Sequence, residues 1–387
     1  MERAVLRGIS WDHSRAFPPL VATSQRYEEL NPGVEIRWTK RALNEFGHQP
    51  IDELAERFDL IVVDHPWAGY DLARDVMLDL APLLPPEVRT ELERNMVGAS
   101  FSSYQYKGRL FALPMDAATP VASWRPDLLA RAGAPPPATW QELIALARRG
   151  IAVIPAERAD LFLHFYMLCH GLGGQPATTP DQFAPRDAAR NAIALLRDLT
   201  KTMPREIYEW SPILVAEAMS TRTDFAYSAF GYAYHNYARP HFAAHPLRFG
   251  PLVRLDNGTP LRGVLGGTGL AISRKCPHPK VALDYAIFTS SASVQRTLYF
   301  LAGGQPAHGA AWDDATVNAL SGDFFLSVRR THEEAVVRPR YCGWVPLQLS
   351  AGAALRRCLR DGVDPCVTLD EIDELYRASR TAGRKTW

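Results

Sequence analysis

The chain has no long hydrophobic run, little cysteine and no surplus of charge of either sign. No apolar stretch in its 387 residues approaches the roughly 18–20 residues of a membrane-spanning helix, so we expect no membrane insertion. The 43 basic and 42 acidic residues give a formal charge of +1, which argues against a nucleic-acid partner and a polybasic membrane patch. Five cysteines without a CxxC pair weakly favour a reducing compartment.

The first residues do not show the pattern of an export signal. The segment MERAVLRGIS contains Glu2, Arg3 and Arg7 and passes directly into a strand-like stretch. A signal peptide has a basic start, a longer apolar stretch and a cleavage site of small residues. We therefore expect one of two situations: a signal was removed, or the protein stays in the cytoplasm.

Length and hydrophobic pattern indicate an α/β protein with two lobes. A chain of 387 residues is too long for one ordinary core, and 47% hydrophobic residues suit a well-packed globular protein. The segments VLRGIS, VEIRW and DLIVVDHP predict strands, and helices are predicted over 18–31 and 51–58. This alternation predicts a parallel sheet with right-handed crossovers.

The segment 264–312 is the most informative part of the sequence. It predicts an apolar strand, a turn marked by proline, an amphipathic helix and a Gly-Gly-Gln-Pro stop. Together with other motifs along nearly the whole chain, it resembles the type 2 periplasmic (extracellular) solute-binding proteins, the sugar-type binding proteins of ABC importers. The motifs that carry the resemblance, in chain order, are YKGRLFALPM, RPDLLARAG with PATWQEL, GGTGLAIS with HPKVALDYAIFTSSASVQ, GGQPAHGAAWDD and TLDEIDELY.

The resemblance implies the two-lobed periplasmic-binding-protein type 2 fold. In that fold each lobe is a mainly parallel sheet flanked by helices, and the lobes close on a ligand in the cleft between them. Each lobe is discontinuous in sequence, because the chain crosses between them near 113–118, 255–263 and 306–311. The expected division is 1–114 with 260–308 in lobe one, and 115–259 with 309–387 in lobe two.

The resemblance also implies partners and a compartment. We expect a monomer that binds a small polar solute such as a carbohydrate, works with ABC permease subunits, and needs no cofactor or metal. The family is periplasmic. However, WDHSRAFPPL and DLIVVDHP resemble a subset that commonly lacks a signal peptide, so the cytoplasm stays the alternative.

Two Asp-His pairs follow the first and third predicted strands. The ends of parallel strands meet at one edge of a sheet, where ligands bind, so the pairs should converge on one side of the cleft. Carboxylates and imidazoles would then bond to solute hydroxyls, and indoles would stack on apolar faces. An equally good interpretation makes the histidines helix caps and the tryptophan core. The predicted residues are Trp11, Asp12, His13, Asp64, His65 and Trp67.

Further candidates come from later segments of the chain. Alternation sends two tyrosines of GYAYHNY to one face. The Gly-rich turn before the late strand lacks the lysine and helix of a phosphate loop. In the turn RPRYCGW, Arg338 or Arg340 could clamp a carboxylate or simply bridge the lobes. Packing roles are open for all of these. The additional predicted ligand contacts are Asp116, Tyr232, Tyr234, Asn236, Gly267, Thr268 and Arg340.

Two other functions fit the same fold. An enzyme could use the Asp-His pairs, or Cys169 with His170 as in thiaminase-like relatives, although neighbours at a helix end usually point apart. A metal site or a small-molecule sensor is the other possibility, because ferric-binding relatives use histidine, carboxylate and paired tyrosines. Its ligands would be His13, Asp64, His65 and Tyr232.

Overall fold

A computed structural model describes residues 3–382, which form two sheets, a short hairpin and many helices. The strands are β1 Ala4–Trp11, β2 Val34–Arg41, β3 Leu60–Val63, β4 Gln105–Tyr106, β5 Arg109–Leu110, β6 Leu113–Ala118, β7 Pro120–Trp124, β8 Ala152–Val153, β9 Tyr227–Tyr232, β10 Arg248–Gly250 and β11 Gly266–Ile272.

The helices follow the strands in the expected alternation. They are α1 Phe17–Leu30, α2 Leu43–His48, α3 Ile51–Ala55, α4 Ala68–Arg74, α5 Pro86–Asn95, α6 Pro126–Arg131, α7 Trp140–Arg148, α8 Arg158–Gly171, α9 Arg186–Thr200, α10 Pro212–Thr221, α11 Pro279–Ser290, α12 Ala292–Val294, α13 Gly309–Trp312, α14 Ala315–Leu320, α15 Phe324–Glu333, α16 Trp344–Asp361 and α17 Pro365–Thr381. Short 3₁₀ or π turns occur at His65–Trp67, Ser102–Tyr104, Arg205–Glu209, His235–Ala238 and Gln295–Tyr299.

The first sheet has five strands in the order β2-β1-β3-β11-β6. Strands β2, β1 and β3 are parallel, as the sequence predicts, and β11 runs antiparallel to both β3 and β6. The run of four apolar residues in β3 is fully buried, because helices cover both faces of a parallel sheet. Trp11 and Asp64 lie at the ends of neighbouring parallel strands.

The second sheet has four strands in the order β10-β7-β9-β8. Only β8 and β9 are parallel, whereas β7 pairs antiparallel with both β9 and β10. The two-lobed α/β fold is thus confirmed, but the expectation of mainly parallel sheets must be corrected to mixed ones. Strands such as β8, two residues long, carry too little hydrophobic pattern for their pairing to be predicted.

The helices of the second lobe build its core around α8. Nearly every residue of α8 is buried, and its Phe162 ring meets the Trp344 ring of α16 at 5.6 Å between centroids. A helix that is apolar on all sides belongs in an interior, surrounded by other helices. Packing on nearly all sides therefore fixes the position of α8 in this lobe.

The chain passes from the first sheet to the second at Thr119, between β6 and β7, and returns before β11. The buried links here include a hydrogen bond from Gln305 Nε2 to the Ala117 carbonyl oxygen at 2.7 Å. The sheets account for the core of each lobe, and the exact division of the remaining chain stays a prediction. No helix within residues 3–382 is long and apolar enough to cross a membrane.

Candidate ligand-binding site

A cavity of about 720 Å³ lies between the two lobes. Its first-lobe wall comes from the end of β1, from α2, from the end of β3 and from the start of β11. Its second-lobe wall comes from the first turn of α8, the end of β9 and parts of α10 and α16. Its lining residues include Trp11, Arg15, Phe46, Asp64, Glu157, Arg158, Asp160, Glu209, Tyr232, Tyr234, Gly266, Gly267, Thr268, Arg338, Gln348 and Arg356.

Asp64 is fixed at the end of β3 by a buried arginine. The Arg338 Nη2 atom donates to both carboxylate oxygens of Asp64, at 2.8 and 2.6 Å, and the His65 backbone N–H donates to Oδ1 at 2.8 Å. Burial alone would raise the pKa of Asp64, but Arg338 and His65 outweigh it and lower the pKa to about 2. This wall of the cavity therefore holds a permanent, oriented carboxylate.

Arg15 joins the two lobes beside the cavity. Its guanidinium donates to the Asp116 carboxylate at 2.8 and 2.5 Å and to the Ala233 carbonyl oxygen, which belongs to the second lobe, at 2.9 Å. Burial opposes the charge of Arg15, but the Asp116 carboxylate prevails and raises the pKa of Arg15. The Arg15 guanidinium also lies 4.6 Å from the centre of the Tyr234 ring, within cation–π range.

Tyr232 and Tyr234 give the second-lobe wall an aromatic surface. The Tyr232 hydroxyl donates to the Val264 carbonyl oxygen at 3.2 Å, across to the chain that leads into β11. The Tyr234 ring rests edge-on against the His13 imidazole, with 4.6 Å between centroids. Burial raises the pKa of Tyr234 to about 12, so its hydroxyl stays protonated. Tyr232 is thus held by the chain that leads into β11, and Tyr234 by the chain that follows β1.

The Gly-rich start of β11 forms part of the cavity wall. Gly267 has φ +98°, and a Cβ atom there would collide with the Asp116 carbonyl oxygen. Only glycine tolerates this backbone conformation and this close approach without strain. The adjacent Thr268 is 3% exposed, and its Oγ1 atom has no hydrogen-bond partner among residues 3–382. A buried hydroxyl without a partner marks a place for a polar ligand atom or a water molecule.

The structure brings part of the predicted site together. Residues from both lobes that we predicted from the sequence line the cavity, and their contact with a ligand stays a prediction. They are Trp11, Asp64, Tyr232, Tyr234, Gly267 and Thr268.

The structure places the other predicted residues outside the cavity wall. Asp12 is exposed and pairs with Lys40 at 2.9 Å. His13 accepts a hydrogen bond from the Arg15 backbone N–H at 2.9 Å, so it acts as a local cap. Burial, with Arg15 nearby, lowers the pKa of His13 to about 4. The first Asp-His pair thus serves the local structure after β1.

The remaining predicted residues have packing or bridging positions. His65 is buried beneath Asp64, and burial together with Arg338 lowers its pKa to about 4. Trp67 packs against the Tyr70 ring. Asn236 donates to the Gly303 carbonyl oxygen at 3.1 Å. Arg340 donates to the backbone carbonyl oxygens of residues 102, 103 and 105.

Several lining residues, or the partners that hold them, were not predicted from the sequence. Arg15 was not predicted, and Arg338 was considered only as a possible clamp or bridge; their partners Asp116 and Asp64 are 101 and 274 positions away in the chain. Asp160 follows Glu157, the N-cap of α8, and its only sequence signal is an acidic residue in the first turn of a long apolar helix. Phe46, Gln348 and Arg356 carry no comparable signal.

The comparisons with known proteins agree with this geometry. A bacterial extracellular solute-binding protein family matches residues 22–321. A search of curated proteins gives no match. Among solved structures, an ABC transporter solute-binding protein from Agrobacterium radiobacter K84, in complex with ribitol, has a TM-score of 0.85 at 19% identity and covers 97% of this chain and 99% of its own.

Two other solved structures have the same overall fold. The maltose-bound MalE3 protein of T. maritima has a TM-score of 0.84 at 16% identity, with 97% of this chain and 99% of that chain covered. The GacH receptor of Streptomyces glaucescens has a TM-score of 0.81 at 15% identity, with coverages of 99% and 100%. At such low identities these structures support the fold alone. The match of the family model supports membership of the family.

The two sheets and the cavity between them define a two-lobed binding protein. Because the family model spans most of the sequence, this chain belongs to the bacterial extracellular solute-binding proteins.

Proposed function

We propose that this protein captures a carbohydrate-like or polyol solute by closing its lobes on it, as the binding component of an ABC-type importer. The observation that carries the proposal is the composition of the cavity wall. Rings of Trp11, Tyr232 and Tyr234 stand beside the Asp64 carboxylate, whose orientation Arg338 fixes. Sugars and polyols present apolar C–H faces together with many hydroxyls. The aromatic rings of this wall suit the C–H faces, and the carboxylate suits the hydroxyls.

Relatives of the same fold support the choice of ligand class. The T. maritima protein is described as bound to maltose, the Agrobacterium protein as bound to ribitol, and a Thermotoga lettingae protein as bound to tagatose. The cavity of about 720 Å³ lies within the range of roughly 300–1,000 Å³ usual for small-molecule sites. We extend the ligand class of these proteins to this chain as part of the proposal.

The proposal is binding without turnover. Burial raises the pKa of the Cys169 thiol and keeps it protonated, so it is a poor nucleophile. The low pKa of Asp64, about 2, makes its carboxylate a poor general base near neutral pH. Within residues 3–382 no three His, Cys, Asp or Glu side chains are grouped so as to hold a metal ion. The family and its structural relatives are binding proteins.

The proposal extends to partners and compartment. The family name implies work outside the cytoplasmic membrane, and we propose that the protein delivers its solute there, as a monomer, to ABC permease subunits. Fractionation of the native cells and co-purification with a permease would test this. Recovery of the protein only in the cytoplasmic fraction, without a permease, would favour a cytoplasmic sensor.

Ligand-dependent stabilisation is the direct test. Maltose, ribitol and tagatose are added separately while thermal unfolding is followed, because a ligand that binds only the folded protein at 100 times its Kd stabilises by about 2.7 kcal/mol. A Thr268→Val variant removes the hydroxyl without a partner and should weaken the effect. Thr316→Val, at an exposed position of α14, is the matched control. Absence of stabilisation by every carbohydrate and polyol tried would refute the proposal.

A further inference from the structure

Asp160 is a buried carboxyl group that faces the cavity without a partner. It lies in the first turn of α8, is 8% exposed and lines the second-lobe wall. Its side chain forms no hydrogen bond with any residue of the described range 3–382. Its neighbour Glu157 differs, because that carboxylate accepts from the Ala159 backbone N–H at 3.0 Å and from Arg158 Nε at 3.2 Å. The carboxyl group of Asp160 is therefore available to bind a polar group of a ligand.

Every other acidic or arginine side chain of the wall forms an ion pair with a residue of opposite charge. The ion pairs are Arg15–Asp116, Asp64–Arg338, Glu157–Arg158 and Glu209–Arg356. Within residues 3–382 only Asp160 lacks an oppositely charged partner among the charged lining residues. If Asp160 is ionised, the wall thus carries one negative charge that nothing in the described chain balances.

The surroundings of Asp160 disfavour its ionised form. Burial, and then the nearby Glu157 carboxylate, raise the pKa of Asp160 well above its ordinary value. The groups that face it from β9 and the following turn are the phenols of Tyr232 and Tyr234, whose pKa values burial raises and the Asp160 carboxylate raises further. Neither phenol supplies a positive charge. Burial and the Glu157 carboxylate therefore favour the protonated form of Asp160.

A second group in the wall independently indicates a polar ligand. The Thr268 hydroxyl, on the first-lobe side, is almost completely buried and has no hydrogen-bond partner within the described residues. A solute that fills the cavity can satisfy Thr268 and Asp160 from opposite lobes. A buried polar group left unpaired is unfavourable, so pairing these groups favours the closed, ligand-bound form.

We propose that Asp160 determines specificity for a solute that carries a basic nitrogen, such as an amino sugar or an amino polyol. The inference rests on the proposed function and narrows its ligand class. An ammonium group placed against Asp160 supplies the missing positive charge, and the carboxyl group releases its proton to water as the ion pair forms. A charge-assisted hydrogen bond is stronger than a neutral one. A neutral polyol supplies no such charge.

Matched pairs of probes test the proposal by isothermal titration at pH 7. Glucamine is compared with sorbitol, and glucosamine with glucose. The ammonium member should bind about ten- to hundredfold more tightly to the wild-type protein. Asp160→Asn keeps the shape of the side chain and removes the charge, and it should abolish the difference. Asp187→Asn, an exposed first-turn residue of α9, is the control and should preserve it.

The outcomes separate this inference from the proposed function. Equal or weaker binding of the amines, while sorbitol or glucose binds, overturns the role of Asp160 and leaves the proposed function intact. A preference that survives in Asp160→Asn also overturns it. If neither member of either pair binds, and the carbohydrates and polyols of the earlier panel also give no stabilisation, the proposed function fails and this inference falls with it.

Discussion

Removing the charge of Asp116 should destabilise the folded protein far more than removing a surface charge. In the Arg15–Asp116 pair the two side chains are only 4% and 0% exposed. Two hydrogen bonds join them, and a third from Arg15 reaches Ala233 in the second lobe. Asp116→Asn keeps the size of the side chain but leaves the guanidinium charge unbalanced.

The expected magnitude follows from burial. Removing one partner of a buried ion pair costs about 3–5 kcal/mol, because the other charge remains in a medium of low polarity. The guanidinium cannot escape by losing its proton, so Asp116→Asn should cost about that much at every accessible pH. The surface pair Lys40–Asp12, whose side chains are 53% and 57% exposed, is the control. Asp12→Asn should cost about 0–1 kcal/mol.

Arg15→Met should behave differently with pH. The lone Asp116 carboxyl can take up a proton, and its burial holds the pKa above the ordinary value. An acid whose folded-state pKa is raised loses no stability below its unfolded-state pKa of about 4, and loses progressively more as the pH rises above it. Relative to wild type, Arg15→Met should therefore be less destabilised at pH 5 than at pH 8.

Urea unfolding followed by tryptophan fluorescence and circular dichroism measures these free energies, provided that the two probes give coincident transitions. The double variant Arg15→Met/Asp116→Asn should cost less than the sum of the single changes, because it leaves no unpaired charge. A cost of Asp116→Asn no larger than that of Asp12→Asn would refute the reasoning. Strict additivity in the double variant would refute it equally.

Three further predictions concern the glycine turn, acid stability and tryptophan emission. Gly267→Ala should lower the unfolding free energy by about 2 kcal/mol or more, through its positive φ and the collision with a backbone oxygen, whereas Gly258→Ala, with φ +81° and open space, should cost about 1 kcal/mol. Burial lowers the pKa of His332 to about 3, so unfolded chains bind a proton that the folded protein excludes. From this residue the unfolding free energy should fall by about 2 kcal/mol between pH 6.5 and 4.5, and His332→Phe should flatten that part of its pH dependence, measured by urea denaturation. Because Trp11 lines the cavity, solute binding should change the emission spectrum, and Trp11→Phe should reduce the change; an identical change in the variant would argue against the cleft.

The first lobe could be predicted in outline because its signals are local. The apolar run of β3 and the alternation of strands and helices fix a parallel arrangement, and that arrangement brings the ends of β1 and β3 to one edge. This is why Trp11 and Asp64 were found from the sequence alone. The second sheet depends on pairs such as β7 with β9, about a hundred residues apart, whose register no local pattern specifies.

The ion pairs of the site could not be predicted for the same reason. Asp64 is recognisable as a carboxylate at a strand end, but nothing near it shows that Arg338 will hold it ionised. Arg340, two positions later in the same turn, instead bonds to backbone carbonyl oxygens. Side chains two apart in the same motif thus have unrelated roles. Only the packed structure distinguishes them, because burial and partners determine the charge state.

The Asp-His pairs show how far strand ends predict function. Consecutive residues of an extended chain point to opposite sides, so an adjacent pair cannot place both side chains in one cavity. Asp64 accordingly faces the cavity while His65 is buried behind it. After β1 the chain turns at once, and Trp11, the last strand residue, faces the cavity in place of Asp12 or His13. The informative position is therefore the one nearest the strand end whose side chain points across the cleft, whatever its chemical type.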